Sequence, residues 1–113
     1  MARWYIYLDD ERTVDWQTYK PYIWSCYVHG LSIPMIVRDY DSMIATLEEA
    51  LANNVEVIID LDHDLGSKMT GYDVCKYLVS MDYPKCKFHI HTMNPVGQFN
   101  MWQLLKRYGY EEF

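Results

Sequence analysis

Val55-Glu56-Val57-Ile58-Ile59-Asp60-Leu61 is a nearly continuous apolar run that opens directly into Asp62-His63-Asp64-Leu65-Gly66. A run of this kind, rich in β-branched residues, is what a central parallel strand covered on both faces requires. The acidic stretch after it then lies at the carboxyl end of that strand. The same arrangement occurs earlier in the chain, where Arg3 to Leu8 is aromatic and β-branched and stops at Asp9-Asp10-Glu11-Arg12. It occurs again later, where Lys87 to Thr92 leads into Asn94-Pro95.

Helical spacing fills the intervals. Asp41 or Ser42 can cap a helix with Ile44, Leu47, Ala50 and Leu51 on one face, ending near Asn53-Asn54. Thr70 and Asp73 have capping-box spacing ahead of Val74, Cys75, Leu78 and Val79. Asn94 as cap, Pro95 in the first turn and Gly109 past the end bound a last helix, with Met101, Trp102, Leu105 and Tyr108 expected inward. Ile33 to Val37 is a further apolar run. Between Thr13 and Gly30 the residues Trp16, Tyr19, Ile23 and Tyr27 have helical spacing interrupted by Pro21, which predicts a helix after the proline. Tyr110 to Phe113 has room for a short edge strand only. Strands alternating with helices imply one open, mostly parallel α/β sheet of four to five strands with right-handed crossovers, spanning residues 1–113 as a single domain. Ligands of such sheets bind outside the carboxyl ends of the strands.

Composition narrows the function classes. The 113 residues are half apolar and 16% aromatic, with only five glycines and four prolines, which excludes a disordered chain. A net charge of -6 argues against a broad grip on duplex DNA, leaving a small phosphorylated ligand or a strand end as the plausible anionic partner. No apolar run reaches the roughly 18 residues of a membrane helix, and the N-terminal residues lack a signal-peptide pattern, so no membrane association and a cytoplasmic location are expected. Cys26, Cys75 and Cys86 lack zinc or redox spacing and are expected to be reduced thiols.

Chemically capable residues gather after the three strands: Asp9, Asp10 and Arg12; Asp62, His63 and Asp64; His91, Thr92 and Asn94. Carboxylates from neighbouring strands repel by ~4 kcal/mol at ~4 Å for an effective dielectric of ~20, so something must neutralise them. A raised carboxylate pKa, Arg12, or a hard cation such as Mg²⁺ would each do so, and the cation is the favoured expectation. The plainer reading makes Asp9 or Asp10 a helix cap, Asp64 a turn residue and Asn94 a cap alone. His63 and His91 add groups that exchange protons near neutral pH. His89 is expected to be a hydrogen-bonded core residue. The first turn of the last helix offers amides to a phosphate. Asn100 would reach the same ligand only if that segment began irregularly. Trp4, Trp16, Tyr19 and Trp24 are expected in the core, with stacking on bases as the alternative.

Leu8-Asp9-Asp10-Glu11-Arg12, Leu61-Asp62-His63-Asp64-Leu65-Gly66, Thr70-Gly71-Tyr72-Asp73-Val74 and His91-Thr92-Met93-Asn94-Pro95-Val96-Gly97 with Asn100-Met101, in that order, resemble the cyclic-phosphate processing receiver domains, divergent relatives of response-regulator receivers. The resemblance implies a receiver-like fold with strand order 2-1-3 onward and an acidic pocket of Asp9, Asp10 and Asp62, the last at the usual phosphoacceptor position. It also implies action on cyclic phosphates of RNA 3′ ends or nucleotides. Together with the residues, it gives the expectation of a phosphoesterase. Asp9, Asp10 and Asp62 would hold Mg²⁺ or Mn²⁺; His63, His91 and Asp62 would be catalytic; Arg12, Asp64, Thr92, Asn94 and Asn100 would contact phosphate or substrate. The rivals are a phosphoacceptor signalling domain and an idle nucleotide- or phosphate-binding module. Only 22 residues follow His91, and Lys106 falls within the last predicted helix, so the lysine and final helix of ordinary receivers are expected to be missing.

Overall fold

A computed structural model describes residues 3–12 and 35–112. The expected helix after Pro21, Cys26, and the aromatics Trp16, Tyr19 and Trp24 lie outside the described residues. The elements are β1 (Arg3–Leu8), β2 (Met35–Val37), α1 (Tyr40–Ala52), β3 (Glu56–Leu61), α2 (Gly71–Ser80), β4 (Lys87–Ile90), α3 (Pro95–Arg107) and β5 (Glu111–Glu112). The sheet is parallel throughout in the order β2-β1-β3-β4-β5, as a receiver-like domain requires, and no helix follows β5 within the described residues.

Strand alternation sorts the side chains into two sets. Ile6 and Leu8, Val57, Ile59 and Leu61, and Phe88 and Ile90 join Met43, Leu47 and Ala50 of α1, Val74, Cys75 and Leu78 of α2, and Met101 and Leu105 of α3 in one core. Trp4 packs against that core. The alternate residues Tyr5, Tyr7, Ile58 and Asp60 are buried on the opposite face. Register then fixes what meets at the carboxyl edge. Leu8 pairs with Leu61, and Leu61 with Ile90. The ladder continues past the strand ends, Asp62 N donating to Leu8 O and His91 N to Leu61 O. Residues 9, 62 and 91 therefore leave three adjacent strands side by side.

The helix ends follow local chemistry, with departures from expectation in the first cap and in which apolar residues face inward, Leu51 at 49% exposed being one. Asp39, rather than Asp41 or Ser42, caps α1, its carboxylate accepting from Ser42 N at 2.8 Å. Asp73 closes the first turn of α2 by accepting from Thr70 N at 2.8 Å. Asn94 caps α3 ahead of Pro95, and Gly109, at φ 89°, turns the chain into β5. Trp102 and Tyr108 are 38% and 47% exposed, not inward, because the stripe that meets the core runs at i, i+4, i+8 through Gly97, Met101 and Leu105. Burial raises the thiol pKa of Cys75 and pushes that of Cys86 up to about 12, so neither is a ready nucleophile. No helix among the described residues is long and apolar enough to cross a membrane.

Gly71 opens α2 where that helix passes closest to the end of β3. A β-carbon there would stand 2.0 Å from the Asp62 carbonyl oxygen. Alanine is favoured over glycine by ~1 kcal/mol in a helix interior, but overpacking against backbone costs about 1–3 kcal/mol or more, so the clash wins. Gly71→Ala is expected to lower the unfolding free energy by about 2 kcal/mol in urea titrations; an unchanged midpoint would contradict this packing.

Candidate functional site

Asp9, Asp62 and His91 converge at the carboxyl edge, each offering a ligand atom within 4.8 Å of the others. His91 is the hinge of the cluster. Its Nε2 lies 3.0 Å from Asp9 Oδ2 and its Nδ1 2.5 Å from Asp60 Oδ1, and only 4% of the side chain is exposed. The Tyr7 ring stacks on it at 4.2 Å with 6° between the planes. Each ring nitrogen therefore faces a carboxylate oxygen.

Arg12 closes the other side. Its Nε is 2.8 Å from Asp9 Oδ2, its Nη2 3.4 Å from Asp62 Oδ2, and the same Nη2 donates to the His91 carbonyl at 3.3 Å. Of the neutralising routes open from sequence, this guanidinium is one the side chains take. Asp9 shows the result. Burial pushes its carboxyl pKa up, but the amides of Arg12 and Glu11, the Arg12 charge and His91 together bring it below the ordinary value. Arg38, just past β2, donates to the carbonyls of Asp9 at 3.3 Å and Arg12 at 2.7 Å and so fixes the loop that carries both.

His63 forms a second group at the rim. Its Nδ1 is 2.9 Å from Asp64 Oδ1, and its amide donates to Asp62 Oδ1 at 2.8 Å. The hydrogen bond from His63 is the largest cause of the lowered Asp64 pKa. With Nδ1–H given to Asp64, the basic atom left on this ring is Nε2. The ring lies on the first turn of α3, where a β-carbon on Gly97 would stand 2.5 Å from His63 Cγ. Asn94 Oδ1 accepts from Gly97 N at 2.9 Å, while its Nδ2 reaches Asp64 Oδ2 at 3.5 Å. Thr92 Oγ1 accepts from Asn94 N at 3.2 Å. Asn94 and Thr92 thus shape the start of α3.

Two expected residues are placed elsewhere. The Asp10 carboxylate turns to the loop after β3, with Oδ2 2.9 Å from where a Gly66 β-carbon would be, and His91 takes its place beside Asp9 and Asp62. Asn100 is exposed on α3, which is helical from Pro95 onward, so it stays roughly 9 Å along the helix from its cap. Sequence reading had no role for Asp60, Tyr5, Tyr7 or Arg38. A signal for Asp60 existed, since an acid inside an apolar strand must find a partner, and its period-2 neighbour is Asp62.

Asp9 and Asp62 could hold a divalent cation through their carboxylates, and His91 could join them only by giving up its contact with Asp9 at Nε2.

The lowered Asp9 pKa has a consequence for stability. Its folded value lies below its unfolded one, so this contribution is fully present above the unfolded value of about 4 and is lost as pH falls through the folded value. Asp9→Asn is expected to be less stable than wild type at neutral pH and to lose less stability on acidification below about pH 4, followed by urea unfolding. Parallel pH profiles for the two proteins would refute it.

No significant match was found to a curated protein or to a solved structure. The family model described as Cyclic-phosphate processing Receiver domain matches residues 4–107, which run from within β1 through α3 and carry all of the groups just described. The chain belongs to that family.

Proposed function

We propose that this domain opens or hydrolyses a cyclic phosphate, on an RNA 3′ end or a nucleotide. The observation that carries the reading is the convergence of Asp9, Asp62, His91 and Arg12 at one sheet edge, with the His63–Asp64 pair on the adjoining rim. Arg12 is 46% exposed while anchored on two aspartates, so its remaining donors are preset for anionic phosphoryl oxygens. Preset donors stabilise the charge that develops on those oxygens without reorganising at the moment of reaction.

The two histidines divide the proton work. His63, the more accessible ring, takes a proton from the attacking water at Nε2 while the water oxygen bonds to phosphorus. The ester P–O bond breaks, and the leaving oxygen takes the proton from His91 Nε2, giving a phosphomonoester and a free hydroxyl. Asp62 keeps both parts in register, because its Oδ1 holds the His63 amide and its Oδ2 the Arg12 fork. Asp9 and Asp62 would hold Mn²⁺ or Mg²⁺ through their carboxylates, which when bound supplies Lewis-acid polarisation of the phosphoryl group and leaves His91 Nε2 to carry its proton.

The signalling alternative relies on Asp62 as phosphoacceptor, and Asp62 does directly follow the central strand. Among the described residues, no lysine after β4 stands at that edge. Lys106 is in the last turn of α3, a helix whose first turn adjoins the site, so about 15 Å of helix separates them.

A panel of 2′,3′-cyclic mononucleotides, cyclic-phosphate RNA ends, 3′,5′-cyclic nucleotides and acetyl phosphate, assayed with and without Mn²⁺ or Mg²⁺, tests the reading. Turnover of a cyclic phosphate is expected, with His63→Ala and His91→Ala each lowering kcat by about 100-fold or more. Stable labelling of Asp62 by acetyl phosphate without cyclic-phosphate turnover would favour the signalling role instead.

A further inference from the structure

We propose that Asp60 is the positioning residue for His91, an inference that rests on the function proposed above for the role it serves. Asp60 is fully buried near the carboxyl end of β3, between Ile59 and Leu61 of the core. An unpaired carboxylate there would be expensive, by several kcal/mol. Both of its oxygens are engaged: Oδ1 with His91 Nδ1 at 2.5 Å, and Oδ2 with the Tyr5 hydroxyl, which donates to it.

The strand register explains how these three meet. Asp60 stands opposite Tyr7 on β1 and opposite His89 on β4. Tyr5 and His91 are each two residues from those partners, on the same face, and so are its diagonal neighbours within reach of long side chains. Tyr5, Asp60 and His91 thus run diagonally across three strands, from the middle of the sheet to the edge where Asp9 waits.

A neutral imidazole can carry its proton on either nitrogen, and its ring can turn over. A carboxylate at Nδ1 removes that freedom: it keeps a proton on Nδ1 and aims Nε2 at Asp9, 3.0 Å away. The parallel Tyr7 ring hinders rotation further. Nε2 is then the atom that His91 presents to the phosphate edge. Asp60 lies beneath the ring and acts through it. A stability role alone accounts poorly for this choice, because a buried acid is at best neutral relative to an apolar residue of similar size in the same place.

The test uses the full chain labelled with ¹⁵N-histidine, in which long-range ¹H–¹⁵N spectra report the protonation of each ring nitrogen, with His91 assigned from His91→Asn. Wild type is expected to carry a proton on His91 Nδ1. In Asp60→Asn, Nδ1 should be unprotonated in some or all molecules, and kcat on a 2′,3′-cyclic mononucleotide should fall about 10- to 100-fold with KM unchanged. An unprotonated Nδ1 in wild type would overturn the proposal even if Asp60→Asn failed to fold. Folded Asp60→Asn with unmoved His91 signals, or with unchanged kcat, would overturn it as well. The spectra need no substrate, so wild type that turned over no cyclic phosphate would defeat the proposed function while His91 still reported on its hold by Asp60.

Discussion

Charge compensation at a buried strand edge is the constraint on which the rest depends. Parallel pairing of β1, β3 and β4 in this register brings residues 9, 62 and 91 together, and two of the three are carboxylates almost shut off from solvent. Asp60 adds a third from beneath. Their partners are the positively charged Arg12 fork and the His91 ring, each bonded to two of the acids. Because the pairing is shared, no single group can be removed without leaving a buried charge exposed to its neighbours, which typically costs 3–5 kcal/mol. Under the proposed function the same sharing would serve the chemistry, a guanidinium and two imidazoles beside paired carboxylates forming a preorganised seat for an anion that gains and loses protons.

Smaller devices hold that seat in place. Gly71 lets α2 start against the Asp62 carbonyl, and Gly97 lets the His63 ring lie on the first turn of α3. Arg38 reaches from the end of β2 to the backbone of the Asp9 loop, so the outermost of these strands contributes to the centre without touching its carboxylates. Asn94 uses its oxygen to cap α3 and its amide to reach Asp64, which links the helix start to the rim histidine. Loops carry the reactive groups, while rigid strand and helix ends set their directions.

Much of this was legible in the residues alone. Strand and helix type could be read because β-branched runs, helical spacing and caps such as Thr70, Asn94 and Pro95 agree with one another. The gathering of Asp9, Asp62, Arg12 and His91 followed from strand ends sharing an edge. What stayed hidden depended on direction. Asp10 follows Asp9 yet turns toward Gly66, a choice made by the loop, not by residue type. Trp102 and Tyr108 read as core, but the buried stripe of α3 is narrow and runs through Gly97, Met101 and Leu105 alone. Asp60 looked like part of an acidic strand end until the register showed that its neighbours are a tyrosine and a histidine from two other strands.

The most direct test of the whole account is a crystal structure with a non-hydrolysable analogue of a nucleoside 2′,3′-cyclic phosphate. The account requires the phosphoryl oxygens to lie within hydrogen-bonding distance of Arg12, with the His63 and His91 rings flanking the phosphorus. An analogue seated away from that edge, or Asp9, Asp62 and His91 found on separate surfaces, would contradict it.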